Sequence, residues 1–273
     1  MVSVTFDSNV WESVVDDAKR SASPCFLEIH DLILQKAIDP YFFEGIATLE
    51  TIQKQDRKKH IAEFKPTISI QIGDEEPRVS EGTPPPELSE YLKETIPKAI
   101  SMGFKFIRTP RIGGHGIEPS AEYVAKDIKF SLSERIDRTF DVLRFIESLG
   151  AGKAKLDKEL LKNMGNGLVE KTINDTSLTD KQFAKNIAEW VDGDAIAAHY
   201  GYGIDYFCTN DKASGAGHLL FLVVSICKAC AKNMALKLSL QTNCLATYVR
   251  APSPSVKRDA PPASRLRASY LQR

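Results

Sequence analysis

Apolar and polar positions alternate first at Val2–Phe6, where β-branched and aromatic residues predict a short buried strand that ends at Asp7, Ser8 and Asn9. Polar residues then open a helix over Asn9–Arg20, with Val10, Val14 and Val15 near helical spacing and Ser8 or Asn9 placed to cap it. Cys25–Ile29 reads as a second strand. Phe42, Phe43, Ile46, Leu49 and Ile52 then recur at helical spacing, so a longer helical region is expected, ending in the charged run Gln55–His60. Near the far end, Thr179–Trp190 is amphipathic. Asp192–His199 reads as a second, small-residue helix closed by Gly201 and Gly203, and Ile204–Thr209 as a strand that the chain leaves through Asn210, Asp211 and Lys212.

Between these ends the pattern changes. Val79–Glu87 holds Gly82 and three prolines, a stiff connector, and helical patterns resume at Leu88, Ala121–Leu149 and Asp157–Met164, broken by Gly150 and Gly152. Phe106–Ile117 is a basic, glycine-rich loop. These limits divide the chain into residues 1–64, a mostly helical insertion over 65–171, a second part of the first domain over 172–216, and an atypical basic tail over 217–273. The tail mixes apolar residues without a firm period and then turns rich in Pro, Ser and Arg, so disorder is expected there.

Composition narrows the class. Of 273 residues, 42% are apolar and 26% charged, as in an ordinary globular protein, and no apolar run reaches the roughly 18 residues of a membrane span. With no basic start followed by an apolar stretch, the expected location is the cytoplasm. The five cysteines, Cys25, Cys208, Cys227, Cys230 and Cys244, lack the second pair or the histidines of a zinc site and read as buried free thiols. The zero net charge hides an asymmetry: His218–Arg273 carries nine Lys or Arg against the single acid Asp259, so the rest of the chain is acidic. A basic tail beside an acidic body suits a polyanionic partner or an unstructured appendage.

The chemistry rests on carboxylates. Strand ends carry Asp7 and Asp211 and a helix start carries Asp194, which a parallel sheet would gather at its carboxyl edge. Hard divalent cations such as Mg²⁺ or Mn²⁺ need only such oxygen ligands to orient a water, lower its pKa and stabilise a leaving oxygen in phosphodiester hydrolysis. Taken singly, each Asp has an ordinary use as a turn or helix-cap residue; their ordered occurrence is what raises a metal site.

These residues carry a resemblance to the PIN-domain nuclease family, whose toxin-type ribonucleases act in toxin–antitoxin systems. The strand ending in V-T-F-D at Asp7, the early acid within F-F-E-G-I-A-T-L-E, the D-A-I-A-A stretch at Asp194 and the T-N-D turn at Asp211 are similar to that family's four acids in order. The stretch from Asp192 to Asp211 is the longest and most specific match. The resemblance spans roughly residues 1–60 and 175–215. It implies a three-layer α/β/α sandwich with a mainly parallel sheet, interrupted by the helical insertion. It further implies catalytic and metal-binding roles for Asp7, Glu50, Asp194 and Asp211, with Glu44 competing for the second role. Asn9, Asp192 and Thr209 would support the site, and Arg108 and Arg111 would touch substrate. RNA is the implied substrate, with an antitoxin protein as partner if the chain belongs to such a pair. No membrane is involved, and nothing in the pattern fixes an oligomeric state.

Two other readings compete. A phosphatase of the haloacid-dehalogenase type would need Asp where Asn9 stands. A PIN-like module that binds RNA or protein without cutting it is favoured by the lack of a convincing last strand and helix after Asp211, and disfavoured by the presence of all four acids. Gly113–Gly116 could cradle phosphate through N–H groups but lacks the Lys-Ser/Thr of a P-loop. His199 and Tyr200 read as packing or capping groups.

Overall fold

The computed structural model describes residues 1–65, 69–70, 78–79, 82–84, 86–109, 121–127, 129–161, 178–210 and 247–250. Strand β1 spans Val2–Phe6, as its alternation predicts. Helix α1 (Ser8–Val15) is capped by neither Ser8 nor Asn9 but by Asp7, whose carboxylate accepts the Ser8 N–H. The expected helix over Asn9–Arg20 breaks at Asp16, which adopts an extended conformation and caps α2 (Asp17–Arg20) by accepting from the Ala18 and Lys19 amides. A short Asp side chain competes for backbone donors in this way, which is why the helix does not run through.

Two further expectations are corrected. Cys25–Ile29 is no strand but lies inside α3 (Pro24–Leu34), where Pro24 occupies the first turn and Ile29 and Ile33 are buried one turn apart. Phe42 and Phe43 are not helical; they close β2 (Ile38–Phe43), and only Glu44–Ala47 beyond them forms a 3₁₀ turn. A short apolar run covered on both faces has no period of its own, so spacing alone does not separate strand from helix. Helix α4 (Arg57–Glu63) then takes up most of the charged run.

With β5 at Lys105–Ile107, β6 at Tyr206–Thr209 and β7 at Thr247–Arg250, the central sheet has the order β5-β2-β1-β6-β7. Its first four strands are parallel. Alternate strand residues serve two cores. Val4, Phe6, Phe42, Phe106 and Cys208 pack with Trp11, Val14, Ile29, Ile33, Ile96 and Ala99, on the side of α1, α3 and α5 (Glu90–Ser101). Tyr41, Phe43, Ile107 and Phe207 pack with Leu156, Phe183, Ile187 and Val191, on the side of α7 (Lys153–Leu161) and α8 (Asp180–Tyr202). The chain is thus α/β with helices on both faces of a mainly parallel sheet. Phe42 and Phe106 stack at 4.3 Å between ring centres, which ties the strand from the 65–171 block to the sheet.

That block also supplies α6 (Leu132–Ser148), which runs against α8, and a separate two-stranded piece of β3 (Ser69–Ile70) and β4 (Arg78–Val79). Gly150 and Gly152 do break the helices, both with positive φ. Helix α8 corrects the two-helix reading: Thr179 caps a single 23-residue helix that runs through Asp192, Gly193 and Asp194 and ends at Gly203 in the left-handed conformation. Burial against the sheet, α6 and α7 outweighs the roughly 1 kcal/mol that an interior glycine costs. Within the tail, Thr247–Arg250 forms β7, antiparallel to β6, so disorder does not extend to that stretch. The alternation of its β-branched and aromatic residues fits an edge strand. Cys208 is a buried free thiol as expected, whereas Cys25 is disulfide-bonded, its partner lying outside the described residues. Among the described residues no helix is long and apolar enough to cross a membrane.

Candidate active site at the carboxyl edge of the sheet

From β1 the chain moves through β2 to β5 on one side of the sheet, then returns to place β6 on the other side of β1. The gap between β1 and β6 is therefore a topological switch point, where a crevice opens outside the strands' carboxyl ends. Asp7 and Thr209 stand at these two ends. The Asp7 N–H continues the sheet by donating to the Cys208 carbonyl at 2.9 Å.

The side chains form a clasp. Asp7 accepts from the Ser8 amide at 2.8 Å, from the Asn9 side-chain amide at 3.1 Å and from the Thr209 hydroxyl at 2.7 Å. Asn9 in turn accepts the Asn210 N–H at 3.1 Å. Four polar residues from two distant segments thereby fix the orientation of one carboxylate. Asn9 and Thr209, expected as supporting residues, both donate to Asp7, and Asn210 joins them through Asn9.

Glu50 comes to the same place by a different route. Gly45 lets the turn after β2 press on α8: a Cβ there would lie 2.5 Å from a Val191 methyl carbon. The Glu50 N–H then bonds to the Gly45 carbonyl at 3.0 Å. Burial pushes the Glu50 carboxyl up to about 7, and the negative charge of Asp7 adds to the shift, while Arg57 opposes it. Arg57 is itself buried and donates to the carbonyls of Ile52 (3.0 Å), Glu50 (3.1 Å) and Ala184 (3.4 Å), bolting this turn to α8.

Asp7, Ser8, Glu50 and Asp192 line one cleft, floored by Thr5, Phe6, Phe43, Ile46 and Phe207. It leaves about 10 Å³ of free space, the scale that holds a single water. Val191, Asp192 and Ala195 of α8 share this cleft because they lie on one helical face. Asp194 does not line it. Its carboxylate accepts the Trp190 indole N–H at 3.0 Å, and its carbonyl accepts the Thr109 hydroxyl at 3.3 Å. Two residues apart on a helix means roughly 200° of rotation, so Asp192 and Asp194 cannot both face the cleft. The expectation of Asp194 at a helix start, beside the other acids, is corrected to a position inside α8.

Glu44 belongs with that second group. It is buried at the end of β2, accepts from the Thr109 N–H at 3.0 Å and pairs with the Arg108 guanidinium at 3.4 Å. The sequence-expected residues thus divide: Asp7, Asn9, Glu50, Asp192 and Thr209 gather at the switch point, while Glu44, Asp194 and Arg108 gather at the ends of β2 and β5. Arg111 and Asp211 lie outside the described residues, as does the Gly113–Gly116 loop.

One buried group, read from the sequence as packing or capping, packs beneath the cleft. His199 shares a 3.0 Å hydrogen bond with the Thr5 hydroxyl and stands edge-on to Phe207, both cleft residues, and burial lowers its imidazole to about 3. It is a neutral prop beneath the site. Its sequence signal was present, seven residues from Asp192 and hence on nearly the same helical face. The Arg57 bolt had no signal, because it bonds to backbone carbonyls.

Carboxylate oxygens are suitable donors for Mg²⁺ or Mn²⁺. Among the described residues, however, no group of three or more His, Cys, Asp or Glu side chains is placed to hold a metal ion. Comparison of the chain with protein-family models, with curated proteins and with solved structures returns no match.

Proposed function

We propose that this protein is a metal-dependent endonuclease of the PIN-like kind, acting on RNA. The supporting observation is the convergence of Asp7, Glu50 and Asp192 on one cleft at the switch point of a parallel sheet. Carboxylates from separate elements that line one cleft are the donor type that a hard divalent cation takes. Because no three described side chains already form a ligand set, the reading needs a further donor and takes Asp211, two residues beyond β6 in sequence and outside the described residues, for that role. Asp192 replaces Asp194 as the acid contributed by α8. The bound Mg²⁺ or Mn²⁺ would supply an activated water and charge stabilisation at the phosphodiester. The chain's own residues have separate tasks. The Asn9–Thr209 clasp holds Asp7, Arg57 fixes the Glu50 turn, and Glu50, titrating near neutrality, can hold or release a proton at the cleft.

A second reading, a PIN-like module that binds RNA or protein without cleavage, is favoured by the absence of a ready ligand set among the described residues. One experiment separates the two. Purified protein is incubated with labelled RNA and DNA in Mn²⁺, Mg²⁺ or EDTA, beside Asp7→Asn, Asp192→Asn and Asp211→Asn. Metal-dependent cleavage of RNA that each variant abolishes supports the nuclease; cleavage in EDTA sinks the metal mechanism; folded protein that never cleaves leaves the binding module.

A further inference from the structure

Beside the cleft lies ground of opposite charge. On α8, Lys181, Lys185, Ala188 and Asp192 follow one another at intervals of four, three and four residues, a single stripe along one helical face. Asp192 ends that stripe in the cleft, and Lys185 precedes it by about 10 Å along the helix axis. Lys181 and Lys185 are exposed. Across from them, α4 packs against α8, joined by the Arg57 bond to the Ala184 carbonyl. Around Arg57 stand Lys54 and Lys59, exposed, and Lys58, partly exposed, only four to nine residues beyond Glu50. None of these five lysines makes an ion pair or side-chain hydrogen bond among the described residues, whereas Lys19, Lys93, Lys105, Lys129, Lys153 and Lys155 are all paired with acids. Asp56, Glu63 and Asp180 are the exposed acids interspersed with them.

Unpaired lysines on two elements locked together give a positive surface that a partner can engage. It lies on the two elements that supply acids to the cleft: α8 runs from Lys185 to Asp192, and the turn before α4 follows Glu50. An acidic pocket repels a polyanion, so a nucleic acid reaching it needs cations beside it.

We propose that Lys181 and Lys185 of α8, with Lys54, Lys58 and Lys59 around α4, form a track for the phosphate backbone of a single nucleic-acid strand leading into the cleft. The proposal deepens the nuclease reading and rests on it for the strand's destination. It does not rest on it for binding. The track grips the backbone rather than base edges, so it does not depend on sequence.

Full-length protein is titrated against a short fluorescein-labelled single-stranded RNA in EDTA, where no cleavage occurs, and binding is followed by anisotropy across a salt series. Lys181→Glu/Lys185→Glu and, separately, Lys54→Glu/Lys58→Glu/Lys59→Glu are expected to weaken binding at least about tenfold. The slope of log affinity against log salt should shrink by about 0.7 for each phosphate that the variant no longer neutralises. A DNA strand of the same sequence should show the same slopes. Lys36→Glu/Lys98→Glu, exposed in the turn after α3 and on α5, matches the first variant's charge change and should leave affinity within about twofold. Lysine-to-glutamine versions, which add no new charge, should lose affinity in the same order and show that the loss is not misfolding. Wild-type protein that fails to bind, track variants that bind like wild type, or a control pair that loses as much would each overturn the track. Loss of binding in the track variants beside wild-type protein that never cuts would keep the track and remove the nuclease.

Discussion

Asp192 and Asp194 stand two residues apart in different surroundings, so on the proposed nuclease reading exchanging each for Asn separates chemistry from stability. Asp194 accepts the buried Trp190 N–H at 3.0 Å. Asn keeps an acceptor oxygen there and loses the charge assistance, at a cost of about 1 kcal/mol. Asp194→Leu removes this acceptor from a buried donor and costs about 1–3 kcal/mol, a fall in melting temperature of roughly 3–10 °C for a chain of this size. Asp192 lines the cleft, so on the proposed nuclease reading its replacement by Asn strikes the chemistry. Its effect on RNA cleavage should exceed about a hundredfold, since even the outer partners of metal ligands cost roughly 10–100-fold. Cleavage of labelled RNA in Mn²⁺ and thermal unfolding, measured on the same preparations, read both quantities. Asp194→Asn that abolishes cleavage with an unchanged melting temperature, beside a fully active Asp192→Asn, would refute the placement of the two acids.

Other consequences are equally direct. The Glu50 carboxyl titrates near 7 rather than its ordinary 4.5, so the folded state holds its proton more tightly than the unfolded chain does. Wild-type stability should fall relative to Glu50→Gln as pH rises from about 4.5 through 7, by about 3 kcal/mol in all, and parallel denaturation curves across that window would contradict this. Gly201→Ala places a Cβ 2.0 Å from the Thr139 hydroxyl, where α6 crosses α8, and should cost about 1–3 kcal/mol; an unshifted melting temperature would show that the helices part freely. Arg57→Met removes donors from three carbonyls and should cost about 2–3 kcal/mol, with weaker RNA binding, because α4 loses its anchor; calorimetry together with the anisotropy assay checks both.

Where local physics was decisive, the sequence was legible. The alternation of Val2–Phe6 marked β1, Ile204–Thr209 marked the strand whose core is β6, and Gly203 marked the end of α8. Asp7 was legible too, from its place at a strand end, whereas the supporting places of Asn9 and Thr209 were implied only by the family resemblance. Spacing failed where burial on both sides erased the period, as at Phe42 and Phe43, and where a single side chain redirected the backbone, as at Asp16. Only the tertiary structure separated Glu44 from Glu50, bringing Glu50 to the cleft beside Asp7 and leaving Glu44 with Thr109 and Arg108. It also separated Asp192 from Asp194. Read as the start of a new helix, that stretch left its facing open; packed between the sheet and α6 and α7, one continuous α8 fixes its rotation and turns Asp192, not Asp194, toward the cleft.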